Sequence, residues 1–195
     1  MNKFFEIIEN FGIQDEEIKK DLEKIIKYKT FKSGETISPI GSKQEDIYFL
    51  SEGIIRLYFE LENGKQYNKS IVSEYQFSAS FSSLIKNESS KVAIECLSDC
   101  KIFTLNYSKI LELEKKYPKL YIIHIKVLNH FFVEREYENY LLATKDAKQR
   151  YLELRKRIPN IDEKVTQYHI ASYLGITPVQ LSRVRKKLIE ENLMD

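Results

Sequence analysis

One segment, residues 167–184, constrains the fold of this chain more than any other, because its residues meet the demands of two helices and a tight turn at once. Ala171 is small enough for a second helix to cross closely above it, and Gly175 can take the positive φ that such a turn requires. Thr177 then suits a helix N-cap, and Pro178 suits the first helical position, where its missing N–H is no loss. This order predicts a helix-turn-helix. Its inward apolar positions are Ile170, Leu174, Ile176, Leu181 and Val184.

The second helix of this unit is basic on its outward side, which favours DNA as the partner. An ordinary amphipathic helix pair would explain the apolar spacing, but it would leave the turn signals and the basic helix to chance. In a helix-turn-helix the second helix lies in the major groove of double-stranded DNA with its first residues facing base edges. We therefore expect Arg183 to read guanine and Gln180 to read adenine. The expected DNA contacts, to bases or phosphates, are Thr166, Gln167, Tyr168, Thr177, Val179, Gln180, Arg183, Lys186 and Lys187.

The charge distribution agrees with a DNA-binding C-terminal end. The whole chain of 195 residues has a net charge of only +2. Residues 141–195 carry 11 Lys and Arg against 7 Asp and Glu, a net charge of +4, which leaves −2 for residues 1–140. The sequence has no apolar run approaching about 18 residues and no leader with a cleavage site, so we expect no membrane span, no signal peptide and a cytoplasmic protein.

Ahead of the helix-turn-helix, the chain has two regions that differ in their hydrophobic pattern. Residues 2–28 have the apolar spacing of one or two helices, and residues 30–105 consist of short β-runs divided by turn residues. Asn63 and Gly64 separate two such runs, which predicts a hairpin with a type I′ turn. Several short strands at this spacing indicate a small antiparallel barrel or jelly roll. The fold class is therefore α+β, with an antiparallel β-roll ahead of helices that begin near Tyr107.

A long helix is expected from Pro118 to about Ala143, with Thr144 capping the helix that follows. The first half of the long helix is apolar on two sides, and a helix with two apolar sides needs two partners. One partner would be the β-roll and the other the same helix of a second subunit. We expect the dimer interface to use Leu120, Ile123, Val127 and Phe131.

No combination of residues indicates catalysis, a metal or a cofactor. Cys96 and Cys100 are spaced C-x3-C without companion ligands, so buried strand positions are favoured, and a redox-sensing thiol pair is the alternative. The three histidines, His124, His130 and His169, lack metal-ligand spacing. We therefore expect a protein that is not an enzyme.

With these elements in order, the chain resembles the Crp/Fnr family of bacterial transcription regulators. The resemblance rests on Gly34-Glu35, Gly41, residues 47–58 (IYFLSEGIIRLY), the long helix and residues 170–177 (IASYLGIT). It implies a cyclic-nucleotide-binding-like sensor at residues 1–117, a dimerisation helix at 118–143 and a helix-turn-helix domain at 144–195. It also implies a homodimer that binds a palindromic operator, with RNA polymerase and a small-molecule effector as candidate partners.

The same resemblance argues against cyclic AMP as the effector. Family members that bind it have a Gly-Glu pair for the ribose and an Arg-Ser pair for the phosphate. Here Ala79 occupies the ribose region, and Ser90 stands where the phosphate-binding arginine is expected. Another ligand, or none, would occupy the roll. The candidate pocket is Phe77, Ser80, Ser90, Lys91, Lys126, Asn129 and His130.

Few residues follow Glu190, so we expect the β-hairpin wing common in the family to be reduced or absent. The predicted function is sequence-specific DNA binding by a transcription regulator that does not respond to cyclic AMP. The alternative is a ligand-binding regulatory module that acts through protein partners and has a vestigial helix-turn-helix. The outward positions of Gln180, Arg183 and Lys187 favour DNA binding.

Overall fold

The structure, a computed structural model, describes residues 1–191. Its helices are α1 (Asn2–Asn10), α2 (Glu16–Ile25), α3 (Phe81–Lys86), α4 (Tyr107–Lys116), α5 (Lys119–Thr144), α6 (Ala147–Arg157), α7 (Ile161–Lys164), α8 (Gln167–Leu174) and α9 (Pro178–Glu190). Its strands are β1 (Ile26–Phe31), β2 (Thr36–Ser38), β3 (Asp46–Glu52), β4 (Ile55–Glu60), β5 (Gln66–Val72), β6 (Phe77–Ser78), β7 (Ala93–Cys96) and β8 (Cys100–Asn106). The predicted α+β class and the order of its elements are confirmed.

The strands form two four-stranded antiparallel sheets that make the roll. One sheet has the order β1-β8-β3-β6 and the other has the order β2-β7-β4-β5. Leu50 and Ile102 of the first sheet pack with Ile55 and Ile94 of the second, and all four are fully buried. Apolar side chains that alternate along strands therefore meet between the sheets, as they do in β-sandwiches.

Cys96 and Cys100 lie in the core between the sheets. Both thiols are free and buried. The Cys100 thiol donates a weak hydrogen bond to the backbone carbonyl of Ser98, with an Sγ–O distance of 3.2 Å. The cysteines therefore occupy the buried strand positions that their spacing favoured.

The hairpin predicted at Asn63-Gly64 connects β4 to β5, but its turn differs from the expected type. Gly64 has φ +76°, whereas Asn63 does not have a positive φ. The Gly64 N–H donates to the Leu61 carbonyl at 2.9 Å, and the Asn63 side chain accepts from the Lys65 N–H at 3.0 Å. This side-chain bond keeps Asn63 in an ordinary conformation, so the loop is a three-residue turn with a bulge at Gly64 and the predicted type I′ turn is wrong.

The N-terminal helices and the start of α5 cover the outer side of the first sheet. Phe4 of α1 and Leu22 of α2 pack in one cluster with Phe49 of β3 and Phe103 of β8. The ring of Phe4 meets that of Phe49 edge-on, with centroids 5.3 Å apart. Aromatic contacts of this kind account for much of the packing on this side of the roll.

The side of α5 predicted to form the dimer interface faces its own chain instead. Leu120 and Ile123 are buried in the same cluster as α1 and α2, and Val127 packs against it. The Phe131 ring lies edge-on to Phe81 of α3 at 4.9 Å. Leu120 and Ile123 are therefore covered within their own chain by the two N-terminal helices and the roll, whereas Val127 and Phe131 are half-buried. The exposed apolar residues of α5 are Tyr121, Ile122, Ile125, Phe132, Val133, Tyr137, Tyr140 and Leu142.

A close contact between Glu114 and His124 joins α4 to α5. Glu114 in the last turns of α4 is fully buried, and its Oε1 lies 2.8 Å from Nδ1 of His124 in α5. The ring of Tyr107 packs edge-on against the same imidazole at 5.8 Å. Both carboxylate oxygens of Glu114 are buried without a hydrogen bond of ordinary geometry among residues 1–191, and the imidazole of His124 is the polar group beside them.

The boundary between α5 and α6 lies two residues later than predicted. Thr144 is the last residue of α5, and its hydroxyl donates to the Tyr140 carbonyl at 2.7 Å. Asp146 is the N-cap of α6 and forms a capping box with Gln149. The prediction that Thr144 caps α6 is wrong. Asp146 has a glutamine three residues later, so the two side chains can each bond the other residue's backbone N–H, and Asp146 takes the cap position.

The last four helices share a core with the second sheet of the roll. Tyr151 and Leu154 of α6, Ile170 of α8 and Leu181 of α9 are buried together. Ile54, just before β4, and Ile71 of β5 belong to the same cluster. The C-terminal helices therefore pack against the roll through apolar side chains as well as through polar contacts.

Gly53 follows the last residue of β3, and a substitution there tests how closely the connection from β3 to β4 approaches its neighbours. Its φ is +101°, and a Cβ there would meet the Asp99 carbonyl and lie 2.8 Å from Cys100 Sγ. We expect Gly53→Ala to lower the free energy of unfolding by about 2–4 kcal/mol through backbone strain and overpacking. Gly64→Ala is the matched control, since Gly64 has φ +76° but open space, and it should cost about 1–2 kcal/mol. Equal losses for both in urea denaturation would contradict the close approach at Gly53.

Candidate nucleic-acid interface

Helices α8 and α9 form the pair predicted from the sequence, joined by Gly175, Ile176 and Thr177. Gly175 has φ +68°, and its N–H bonds the Ser172 carbonyl at 3.3 Å. Pro178 is the first residue of α9, immediately after its N-cap Thr177. These local features determine the turn because each residue type suits the backbone conformation at its position.

The side of α9 that faces away from the core carries the residues expected to contact DNA. Leu181 and Leu188 are fully buried, whereas Val179 is 61% exposed. Gln180, Arg183, Lys186 and Lys187 are exposed as well. Within residues 1–191, the side chains of Arg183 and Lys187 form no hydrogen bond or ion pair, and Lys186 lies 3.9 Å from Glu190. The α9 surface therefore presents two cations, Arg183 and Lys187, that have no close carboxylate among residues 1–191.

The Gln180 side chain also caps α9, a role that its sequence pattern did not predict. Its side-chain Oε1 accepts from the Thr177 N–H at 2.8 Å, and its own N–H donates to the Thr177 hydroxyl at 3.2 Å. These two bonds form a capping box at the start of α9. Bidentate pairing with adenine needs both the donor and the acceptor of an amide, and here the acceptor is engaged.

The start of α8 is open to solvent. Thr166 is the N-cap but makes no side-chain capping bond, and Gln167 and Tyr168 are exposed. The first backbone N–H groups of a helix have no partner within the helix, and they attract anions. Thr166, Gln167 and Tyr168 therefore remain available for the phosphate contacts expected of them.

Helix α8 docks onto strand β5 of the roll through hydrogen bonds that sequence reasoning missed. The Asn68 backbone N–H donates to the Ser172 hydroxyl at 3.0 Å, and the Asn68 side-chain amide donates to the His169 carbonyl at 2.8 Å. The Ser172 hydroxyl in turn donates to the Gln66 carbonyl at 3.4 Å. These contacts join residues more than 100 positions apart, so no local pattern could reveal them.

The buried side chain of Arg56 holds the β5 residues that contact α8. Arg56 of β4 is 4% exposed and donates to both carboxylate oxygens of Glu95, at 3.1 and 3.0 Å. Its remaining N–H groups donate to the side-chain oxygens of Asn68 and Gln66, at 3.1 and 2.7 Å. Because the Asn68 oxygen is held by Arg56, the amide nitrogen is turned toward α8.

A second polar contact joins α5, α6 and α8. Glu138 of α5 accepts from Arg157 of α6 and from the Tyr173 hydroxyl of α8, both at 2.9 Å. Arg135, one turn earlier on α5, donates to the Ser70 hydroxyl of β5 at 3.0 Å. Burial raises the pKa of Tyr173 to about 12, so its hydroxyl stays protonated and continues to donate. The long helix is thereby connected to both the roll and the helix-turn-helix pair.

The effector pocket expected from the sequence does not form as one site. Ser80 and Ser90 are buried and hydrogen-bonded to each other at 2.9 Å, and the Ser90 hydroxyl also donates to the Val92 carbonyl. The side chain of Lys126 donates instead to the Phe11 carbonyl at 2.8 Å. Lys91 and Asn129 are exposed and do not line a cavity with the serines.

Two of the expected pocket residues do meet. Phe77 and His130 line a cavity of about 170 Å³ between β5, the start of β6 and α5. The residues of the predicted pocket are therefore separated. Ser80 and Ser90 bond each other inside the roll, while Asn129 and Lys126 lie on α5 away from them. The predicted seven-residue pocket is therefore not formed, and the cavity lined by Phe77 and His130 remains.

Some features of other protein classes are absent from the described part of the chain. Within residues 1–191, no three His, Cys, Asp or Glu side chains gather in a way that could hold a metal ion. None of the described helices combines the length and apolar character needed to cross a membrane. The predicted reduced wing falls on residues 192–195, which lie outside the described residues.

Comparisons with known proteins agree with this architecture. Residues 28–117 match the family described as the cyclic nucleotide-binding domain. No curated protein matches the sequence. FixK2 from Bradyrhizobium japonicum superposes with a TM-score of 0.75 at 18% identity, covering 86% of this chain and 86% of that one.

Two further solved structures are similar over almost the whole chain. One is the c-di-GMP responsive global regulator CLP of Xanthomonas campestris, with a TM-score of 0.70 at 15% identity over 92% of this chain and 94% of that one. The other is described as a transcriptional regulator of the Crp/Fnr family from Eubacterium rectale, with a TM-score of 0.70 at 14% identity over 91% and 84%. At these identities the likeness establishes the fold.

We expect His169 to make the stability of the fold sensitive to pH. Burial lowers the pKa of His169, and Arg56 lowers it further while Glu95 opposes this. Its Nδ1 is buried with no hydrogen-bond partner among residues 1–191. The unfolded chain therefore binds the proton more readily, so stability is fully present above the ordinary pKa of 6.5 and is lost as the pH falls below it.

We expect the free energy of unfolding in urea to decrease between about pH 7.5 and about pH 5.5, and His169→Gln to make this decrease smaller. His130→Gln is the matched control, since His130 is exposed on α5 and lies outside the contact between α8 and β5. An unchanged pH profile in His169→Gln would contradict this role of His169.

Proposed function

We propose that this chain, which has the fold of the Crp/Fnr regulators and carries a cyclic nucleotide-binding domain at residues 28–117, is a sequence-specific DNA-binding transcription regulator. The observation that carries the proposal is the outward side of α9, where Arg183 and Lys187 are exposed without carboxylate partners among the described residues. In this function the protein is not an enzyme. Residues 1–117 serve as the sensor, 118–143 as the dimerisation helix and 144–195 as the DNA-binding domain.

Arg183 is the principal base-reading residue in this proposal. Its guanidinium is free to pair with O6 and N7 of guanine in the major groove. Gln180 contributes less than the sequence alone suggested, because its side-chain oxygen caps α9. It can still offer its amide N–H groups to an acceptor. Val179 is exposed at the start of α9, where it can contact the methyl group of thymine.

The other exposed polar residues of the pair would contact the DNA backbone. Lys186 and Lys187 lie later on α9 and meet phosphates, as does Thr177 at its start. Thr166, Gln167 and Tyr168 approach a neighbouring phosphate with the first turn of α8. These contacts set the position of α9 in the groove and do not themselves read sequence.

Dimerisation uses the exposed apolar side of α5, opposite the side that covers the roll. Ile125 is 57% exposed and Phe132 is 72% exposed, and they lie seven residues apart, nearly on one line along the helix. The same helix of a second copy fits this apolar strip and brings two α9 helices into successive major grooves. The operator is then an inverted repeat. The dimer works in the cytoplasm, with RNA polymerase as its further partner.

Cyclic AMP is not the effector in this proposal. The roll interior offers Ala79 and Ser90 where the family's ribose and phosphate contacts are expected, and the Ser90 hydroxyl is occupied by Ser80 and the Val92 carbonyl. A buried phosphate calls for a charge-assisted partner such as arginine. Any small-molecule effector is therefore of a different kind or binds elsewhere.

A binding selection on random double-stranded DNA tests the base-reading assignment. We expect Arg183→Ala to lose about 1–3 kcal/mol of binding free energy and to relax the preference at one symmetric base pair. Lys187→Ala is the matched control and should weaken binding to all sequences alike while reducing the salt dependence. Recovery of the same operator with unchanged discrimination by Arg183→Ala would refute the assignment. A wild-type chain that selects no operator would favour a module acting through protein partners.

Sedimentation tests the dimer interface. We expect the double variant Ile125→Glu, Phe132→Glu to sediment as a monomer, because a glutamate in a desolvated apolar strip has no partner for its charge. Ile85→Glu is the control, since Ile85 is 63% exposed on α3 and is not part of the apolar strip of Ile125 and Phe132, so the dimer should stay intact. A stable dimer of the α5 double variant would show that the two copies associate through another surface.

A further inference from the structure

A cavity of about 540 Å³ lies between the roll and the C-terminal helices. Strand β5 and helices α5, α6 and α8 all contribute to its lining, among them Lys69, Arg135, Tyr137, Leu142, Arg150 and Leu174. This volume is within the range of small-molecule sites in proteins. It is separate from the interior of the roll, where Ser80 and Ser90 lie, and from the apolar strip of Ile125 and Phe132 on the other side of α5.

Three glutamates line this cavity; Glu138 and Glu153 are engaged by residues of the chain, whereas Glu134 has no ion pair among residues 1–191. Glu138 accepts from Arg135 at 2.5 Å, as well as from Arg157 and the Tyr173 hydroxyl. Glu153 pairs with Lys156 at 2.8 Å. Arg135, Arg157 and Lys156 are therefore neutralised, at least in part, by residues of the chain itself.

Lys69 is in a different situation. It is half-buried on β5, and among residues 1–191 its ammonium group has no hydrogen bond or ion pair. Burial lowers the pKa of Lys69, and the neighbouring Arg135 lowers it further. Glu138 is the carboxylate whose charge acts on Lys69, and Glu138 is already shared among three donors. The Lys69 ammonium thus lacks a counter-charge in a partly desolvated place.

Arg150 supplies a second cation whose charge is not matched. Its two terminal nitrogens donate to the carbonyls of Lys145 and Leu174, at 2.7 and 3.0 Å. These are neutral acceptors, so the bonds orient the guanidinium without neutralising it. The remaining nitrogen, Nε, is buried and has no partner among the described residues. Buried polar atoms without partners are uncommon in native proteins and call for an explanation.

The rest of the lining is apolar or aromatic. Leu141, Leu142 and Leu154 line the cavity together with the rings of Tyr137 and Tyr173. One face of the Tyr137 ring stacks on Tyr140 with centroids 6.2 Å apart, and the side chain is still 47% exposed, which leaves ring surface for a flat ligand. A cationic end and an aromatic wall together suit a molecule with a charged group on a flat ring system.

We propose that this cavity binds a small phosphomonoester with a planar body, its phosphate held by Lys69 and Arg150. A dianion is favoured because two cations lack a counter-charge, and phosphate matches both an ammonium and a guanidinium. A ligand here touches β5, α5, α6 and α8 at once. Its binding therefore stabilises the docked arrangement of the helix-turn-helix pair on the roll. The proposal concerns ligand binding alone and does not depend on DNA recognition.

Calorimetry on the full chain tests this site, with adenosine 5′-monophosphate as the probe. We expect binding that weakens about 10- to 100-fold in Lys69→Met, the loss typical of a charge-assisted hydrogen bond. Lys69→Arg should retain most of the affinity because it keeps the charge. Lys65→Met is the matched control, since Lys65 is exposed on the same hairpin with its ammonium 4.8 Å from the Tyr67 ring, outside the cavity. Its affinity should equal that of the parent chain.

Companion ligands separate the contributions of charge and ring. Adenosine, without phosphate, and cyclic AMP, whose phosphate carries one charge, should both bind more weakly than adenosine 5′-monophosphate. Inorganic phosphate should bind more weakly too, because it lacks the planar body, and it should compete with the nucleotide. Equal affinity of Lys69→Met and the parent chain, equal losses in Lys69→Met and Lys65→Met, or absence of binding by both nucleotide and inorganic phosphate would each overturn the proposal.

Discussion

The buried guanidinium of Arg56 is the contact on which the arrangement of the two halves of this molecule depends. It stacks on the Tyr58 ring at 4.0 Å and is neutralised by Glu95. Its other donors hold the side-chain oxygens of Gln66 and Asn68, which leaves the Asn68 amide nitrogen for α8. Removing one partner of a buried ion pair typically costs about 3–5 kcal/mol. The β4–β5 hairpin is consequently held in the one shape that fits α8.

Helix α5 connects all functional parts because its sides face different neighbours. Leu120 is buried against the N-terminal helices, and Ile125 lies on the exposed apolar strip. Toward its C-terminal end, Glu138 binds Arg157 and Tyr173, while Arg135 reaches β5. A rotation of α5 caused by dimerisation or by a ligand in the neighbouring cavity would therefore move β5 and α8 together, and the position of α9 would follow.

The features that depend on neighbouring residues could be predicted from the sequence, whereas those set by distant contacts could not. Gly175 determines the turn before α9 through its own conformational preference. The first half of α5 was correctly expected to have two apolar sides, but Leu120 was assigned to the wrong one, since both sides look alike until α1 is placed. The contact between Asn68 and Ser172 has no sequence signature, because each residue is an ordinary polar side chain until the chain has folded.

The capping box of α9 would link the proposed DNA specificity to the folding of the same helix. Gln180 is at once a candidate base contact and the residue whose side chain satisfies the Thr177 N–H. Among the residue types that could replace Gln180, only glutamate also completes the cap. Most other substitutions would fray the first turn and displace Val179 along with it. New operator preferences would therefore arise more readily at Arg183, where no bond to the rest of the described chain has to be given up.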